Sequence, residues 1–351
     1  MNEPRVAVVG AGAWGTTLAA LVARTEPVLL LCHAPETAAA IRDTGRNERR
    51  LPGIDLPPML HASADPGEFA AATDLVIFAV PSTHLRATAE VVAGHVAPAA
   101  DLLSVVKGLE RGSLLRMSEV LADAGGFVPS RIAALSGPNL ALEVARRLPA
   151  SAVVAASDPA LAARVAARLG RREFRLYVNN DLLGVELCGA LKNVLAIAAG
   201  AVDELGFGDN GKAGLMTRGL AEMMRLGIAA GANPLTFAGL AGIGDVIATC
   251  GSKLSRNHQL GVELARGRPW AELEGTLPGT AEGAYAVDAA LALAERHGVD
   301  MPIAREVHNA LFEGKSVQRC LLDLLARESK DELADLQAWV RSLTPVSGDP
   351  A

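Results

Sequence analysis

Aromatic residues are nearly missing from this chain: Phe, Trp and Tyr make up 3% of it, although half of its residues are apolar. A core without large rings has to be built from Ala, Val and Leu, with glycine letting backbones approach closely, which suits tightly packed helices. Cysteine is scarce as well. Cys32, Cys188, Cys250 and Cys320 lie far apart, with no C-x-x-C pair and no metal-ligand spacing. They read as free thiols in a reducing compartment, and neither a disulfide framework nor a metal site is expected. Positive charge is not in excess: the formal charge of -6 gives no general attraction to phosphate backbones or anionic lipid, so nucleic acid is not an expected partner. Any anion site must be local. The opening residues Met1 to Arg5 offer neither a basic nor an apolar stretch of signal-peptide kind. The longest apolar stretch, Leu187 to Val202, is interrupted by Lys192 and Asn193, short of the roughly 20 residues that span a bilayer. No membrane insertion and a cytoplasmic location are the expectations.

What is present has a clear order. Strand candidates run from Arg5 to Val9, Pro27 to Cys32, Asp74 to Val80, Leu102 to Val106, Ile132 to Ser136, Ala152 to Ala156 and Phe174 to Val178, separated by Ala-rich helical stretches. Their continuous apolar character predicts a parallel sheet covered on both faces. After about Asn180 the strand signals stop and helical periodicity continues to about Leu343.

The first strand runs into Gly10-Ala11-Gly12-Ala13-Trp14-Gly15, and Thr16 onward opens a helix. Strand, glycine turn, helix is the arrangement that binds a dinucleotide: Gly10 permits the tight turn, Gly12 lets a pyrophosphate reach the backbone, and Gly15 lets the helix pack closely. Free N–H groups at the helix start meet the phosphates. The fold expected is a Rossmann-type doubly wound parallel sheet (1–181), then an all-helical catalytic and substrate domain (182–343) and a frayed tail (344–351). At the end of the second strand stands His33 rather than the acid that holds NAD ribose hydroxyls, and Arg42, Arg46, Arg49 and Arg50 follow. NADP(H) is therefore favoured, with NAD(H) as the alternative; Glu36 lies close by, and the arginines also read as solvated side chains.

Ligands of such sheets sit beyond the carboxyl ends of the strands, which singles out three loops: Val80-Pro81-Ser82-Thr83-His84, Val106-Lys107-Gly108-Leu109-Glu110 and Ser136-Gly137-Pro138-Asn139. In the helical half, Lys192 has small or apolar neighbours one and two turns away in both directions, so it faces inward. A lysine there needs a partner or a polar cavity, and its desolvation favours proton transfer. Asp245 follows a glycine turn and fits either an N-cap or the carboxylate partner of Lys192, with Thr249 on the same face. The turn Ser255-Arg256-Asn257 joins an N-cap serine to a guanidinium and an amide, which suits a phosphate and is also an ordinary cap.

Together these segments resemble the bacterial NAD(P)-dependent glycerol-3-phosphate dehydrogenases from Val6 to about Leu325. The resemblance rests on the glycine turn, Val80-Pro81-Ser82, Lys107-Gly108-Leu109-Glu110, Leu135-Ser136-Gly137-Pro138, Leu191-Lys192-Asn193, Thr217-Arg218-Gly219-Leu220-Ala221-Glu222, Gly244-Asp245, Ser255-Arg256-Asn257 and Glu282-Gly283. It implies Lys192 as catalytic acid/base and Asp245 as its partner. It implies substrate contacts from Lys107, Gly137, Asn139, Lys192, Asp245, Ser255, Arg256 and Asn257. For the cofactor it implies Gly10, Gly12, Ala13, Trp14, Gly15, His33, Pro81, Lys107, Ala141, Arg256 and Glu282. The implied reaction interconverts dihydroxyacetone phosphate and sn-glycerol 3-phosphate for phospholipid synthesis, in a homodimer. Asn139-Leu140 departs from the family, which has Ser or Thr followed by Phe there.

Overall fold

The computed structural model describes residues 3–70, 73–276 and 281–328. The expected tail (344–351) and the end of the helical half lie outside the described residues. Eight strands form one sheet: β1 (Val6–Val9), β2 (Val28–Leu31), β3 (Leu60–Ser63), β4 (Leu75–Phe78), β5 (Asp101–Ser104), β6 (Ile132–Ser136), β7 (Ala150–Ala156) and β8 (Phe174–Asn179). Their order is β3-β2-β1-β4-β5-β6-β7-β8. Helices of this half are α1 (Ala13–Val22), α2 (Pro35–Thr44), α3 (Leu85–Ala93), α4 (Met117–Gly125), α5 (Ala141–Ala145) and α6 (Pro159–Leu169).

The sheet departs from the sequence reading in two places. It is not parallel throughout: β7 runs antiparallel to β6, pairing Val154 with Leu135. The intervening α5 has five residues, too short to carry the chain back along the sheet, so the chain returns from the end at which it left. Strand β3 was not expected, because Leu-His-Ala-Ser is a poor apolar run. It sits on an edge, where only Ala62 and Ser63 are buried. The opposite edge, β8, is also largely uncovered, with Tyr177 and Val178 exposed. The inner strands match the expectation: Leu18, Leu21, Leu161 and Val165 pack on one face, and Leu85, Val92, Val120 and Leu121 on the other.

From Leu182 onward the described chain is helical: α7 (Leu182–Glu204), α8 (Gly208–Ala229), α9 (Pro234–Phe237), α10 (Asp245–Gly251), α11 (Arg256–Ala265), α12 (Trp270–Leu273), α13 (Glu282–Arg296), α14 (Pro302–Phe312) and α15 (Val317–Leu325). The axis of this half is α7. It is 23 residues long and runs unbroken through Lys192 and Asn193, so by length and composition it could cross a membrane, which the sequence reading had excluded. Instead 83% of its most apolar window is buried inside the protein, under α8, α10, α11 and α13. A helix that is apolar on all sides is a core helix when other helices cover every side.

Glycine makes that wrapping possible. A Cβ at Gly261 of α11 would lie 1.8 Å from the Ile197 carbonyl oxygen of α7, and one at Gly283 of α13 would lie 2.5 Å from that of Asn193. Backbone therefore rests on backbone, and functional residues on α11 and α13 are held in register with those on α7. Gly261→Ala should destabilise the protein by about 1–3 kcal/mol through overpacking. Urea denaturation should show the lower midpoint; an unchanged midpoint would contradict this packing.

Candidate active site

Local structure explains where each side chain of the site points. Between α9 and α10 the chain makes a π-helical turn, Leu240–Gly244, with Gly242 at φ -87° and ψ -105°. A Cβ at Gly242 would lie 2.0 Å from the Phe237 carbonyl oxygen. This bulged turn delivers Asp245 as the first residue of α10. Its carboxylate is not an N-cap. It is 2% exposed and lies between two lysines: Lys192 Nζ is 2.7 Å from Oδ1, and Lys107 Nζ is 2.6 Å from Oδ2.

Around this ion triad the polar groups are nearly all matched. Lys192 also donates to Thr249 Oγ1 at 2.6 Å, and Thr249 donates to Asp245 Oδ1 at 3.0 Å. Lys107, from the loop after β5, reaches the Gly137 carbonyl at 3.3 Å and Asn139 Oδ1 at 3.2 Å. Gly137 takes φ +133° and crosses so close to β7 that a Cβ would meet Ala152 Cα at 3.0 Å. Two groups lack partners: Ser136 Oγ and Asn139 Nδ2 are buried without a hydrogen bond, which costs about 1–3 kcal/mol each unless a ligand oxygen meets them.

The electrostatics follow from two cations sharing one anion out of water. Burial alone would raise the Asp245 carboxyl; the adjacent Lys107 and Lys192 ammoniums outweigh it and hold the group below its usual range. Burial pulls Lys107 down to about 8, with Asp245 resisting and Lys192 adding repulsion. The triad keeps a surplus of positive charge and of N–H donors, suited to an oxygen atom that gains negative charge.

On α11, Ser255 accepts from the His258 N–H at 3.3 Å, the expected N-cap. Arg256 is exposed and has no hydrogen bond or ion pair among the described residues; burial of its surroundings lowers its pKa, Glu282 opposes this, and Arg50 adds to it. The carboxamide of Asn257 is not open to a ligand as expected. Its Nδ2 donates to Asn193 Oδ1 at 3.0 Å and its Oδ1 accepts from Gly283 N at 2.9 Å. It ties α7, α11 and α13 together and leaves its backbone N–H in the open first turn. Asn193 was missed; an amide on a fully buried helix face signals a polar tie.

The dinucleotide turn fits its group. Gly10 has φ +111° and would place a Cβ 2.7 Å from the Ala79 carbonyl oxygen, whereas a Cβ at Gly12 would meet nothing within 4 Å. A Cβ at Gly15 would strike the Gly10 carbonyl oxygen at 2.0 Å. No side chain caps α1, so the N–H groups of Ala13, Trp14 and Gly15 stay open to phosphate. Trp14 sets its ring edge against Phe174, centroids 6.1 Å apart. His33 is exposed at the end of β2, Pro81 precedes a short 3-10 turn, and Ala141 starts α5, with its carbonyl accepting from Thr17 at 3.2 Å. Glu282, half-buried at the start of α13, accepts the Ser82 N–H at 3.3 Å and the Ser82 hydroxyl, and so closes the helical half onto the loop after β4. Of the arginines after His33, Arg42 bonds the Ala62 carbonyl and Arg46 pairs with Asp55, so these two serve the fold.

Known proteins resemble this chain over most of its length in sequence and in fold. Residues 5–162 match the family described as NAD-dependent glycerol-3-phosphate dehydrogenase N-terminus, and residues 181–322 the corresponding C-terminus. A protein of Streptomyces avermitilis named glycerol-3-phosphate dehydrogenase (NAD(P)+) is 46% identical over 334 residues, covering 95% of this chain and 99% of that one. The crystal structure of a glycerol-3-phosphate dehydrogenase from Coxiella burnetii has a TM-score of 0.87 at 36% identity, over 92% of this chain and 98% of that one. The enzyme of the same name from yeast superposes at a TM-score of 0.78 with 27% identity, over 93% of this chain and 100% of that one.

Because the Asp245 carboxylate is buried between two cations, Asp245→Asn should cost about 3–5 kcal/mol of stability. Urea unfolding at neutral pH measures this, and a loss below 1 kcal/mol would mean that the triad is not buried as described.

Proposed function

The chain belongs to the NAD-dependent glycerol-3-phosphate dehydrogenase family, and we propose that its Lys107, Asp245 and Lys192 triad is the centre at which it reduces a ketone. It is an NAD(P)-dependent oxidoreductase that interconverts dihydroxyacetone phosphate and sn-glycerol 3-phosphate. The observation that carries the site assignment is one buried carboxylate engaging two ammoniums, that of buried Lys192 and that of half-buried Lys107, at 2.7 and 2.6 Å.

In this reading the sheet half (1–181) holds the dinucleotide and the helical half (182–343) holds the substrate. The open N–H groups of Ala13, Trp14 and Gly15, with Gly10, Gly12, Pro81 and Ala141, receive the dinucleotide, whose nicotinamide supplies the hydride when bound. His33 at the end of β2, where an acid would hold the ribose hydroxyls of NAD, supports NADP(H) as the favoured form. The first turn of α11, with Arg256 and the backbone N–H groups after Ser255, takes the substrate phosphate. Glu282 reaches the cofactor cleft through Ser82. Asn139 and Gly137 hold Lys107 toward the substrate, and the unmatched Asn139 Nδ2 meets one of its oxygens.

Lys192, as an ammonium, donates its proton to the ketone oxygen as that oxygen gains charge, and in the reverse direction it takes the proton from the hydroxyl. Asp245 positions Lys192 and balances its charge, and Thr249 fixes the ammonium from the other side. Lys107 stabilises the developing oxyanion. The product feeds phospholipid synthesis, and we place the protein in the cytoplasm as a homodimer, which light scattering at assay concentration tests directly.

Lys192→Ala should lower kcat for NADPH oxidation with dihydroxyacetone phosphate by about 1,000-fold or more while leaving the Kd for NADPH within about twofold, as loss of a proton donor requires. Near-normal kcat sinks the assignment. The same assay with NADH should give the lower kcat/KM.

The charged form of Lys107 is present below its pKa of about 8 and is lost above it. The pH profile of kcat/KM should therefore fall above pH 8, and Lys107→Arg, which stays charged, should move that limb upward. An identical limb in the variant would assign it to another group.

A further inference from the structure

A cavity of about 370 Å³ borders the Ser136–Asn139 turn at Pro138, and neither Lys107 nor Lys192 lines it. Pro138, Leu140, Val144 and Ala248 line it with hydrocarbon. Ser151, Arg172 and Arg175 line it as well. Arg172 makes no hydrogen bond or ion pair among the described residues, and Arg175 only lies over the Tyr177 ring, 5.9 Å from its centroid. Two carboxylates share the rim. Glu173 is matched by Arg24 at 3.0 Å, which leaves Glu143 alone against two unpaired guanidiniums.

A concave space of this size, lined by apolar side chains together with a surplus of positive charge, has the build of a small-molecule site. Guanidinium forks select oxyanions in bidentate geometry, and the apolar wall gains from covering hydrocarbon. The location ties it to the chemistry. Pro138 lies between Gly137, whose carbonyl holds Lys107, and Asn139, which also holds Lys107. Ala248 directly precedes Thr249 on α10. Anything seated in the cavity therefore touches the backs of both segments that position the lysines.

We propose that this cavity is a second ligand site, distinct from the catalytic anion site, which takes a small molecule with an oxyanion head, phosphate or carboxylate, and a short hydrocarbon body. The head lies against Arg172 and Arg175 and the body against Pro138, Leu140 and Ala248. Because both arginines keep solvent access, binding weakens as salt rises.

Butyl phosphate, with inorganic phosphate as the head-group control, tests the site by titration calorimetry on the full chain. Saturating NADP+ and dihydroxyacetone phosphate, a pair that cannot exchange hydride, keep the catalytic anion site filled. One saturable equivalent of butyl phosphate is expected, held about tenfold more tightly than inorganic phosphate, as burial of about two methylene groups implies. The double variant R172A/R175A should weaken it by about tenfold or more, in line with the loss of two charged donors, with kcat unchanged. Ser151→Phe, which fills the cavity and leaves both arginines in place, should abolish the same binding. Absence of a saturable equivalent in the wild type, or binding undiminished in either variant, overturns the proposal; these outcomes leave the assignment of Lys192 untouched, because no turnover is measured in the titration.

Discussion

A single carboxylate surrounded by protein organises this molecule. Asp245 is unstable in its place unless both Lys107 and Lys192 stand beside it, and each lysine is unstable without the carboxylate. Lys107 comes from the sheet half and Lys192 from α7, so the ion triad is also a joint between the halves. The same arrangement leaves one unit of positive charge in excess, aimed at whatever occupies the cleft. Stability and chemistry depend on the same contacts.

The scarcity of aromatic residues has a structural counterpart in how that joint is held. Helices α8, α11 and α13 lie against α7 through Gly219, Gly261 and Gly283, at separations that leave no room for a side chain. Such contacts allow little sliding, because a shift brings α11 and α13 backbone into that of α7 and α8 backbone into the Leu195 side chain. Asn257 then links Asn193, next to Lys192, with Gly283, next to the carboxylate that grips Ser82. The phosphate turn, the lysine and the cofactor cleft are in this way fixed to one another by two amides and a few glycines.

Much of this was legible before any coordinates. The strands other than β3, the glycine turn, the inward face of Lys192 and the cap at Ser255 all rest on local periodicity or on short-range backbone chemistry. The misreadings share a different cause. β3 and the antiparallel β7 are edge and return features, decided by which strand offers a free partner rather than by the residues' own preferences. The carboxamide of Asn257 was read as free because its partners, Asn193 and Gly283, lie far away in sequence. The apolar length of α7 was underestimated because an ion pair 53 positions distant allows a lysine inside it.

The chain's sequence by itself determined the local parts: an open glycine turn after the first strand, a lysine on a buried helix face and a serine cap followed by an arginine, each encoded within a few neighbouring residues. Only the tertiary structure decided which of those groups meet. Asp245 could have been a cap and Lys107 a solvent lysine; both became parts of one site because burying a charge is costly, and the fold brings together the three ions that cancel that cost.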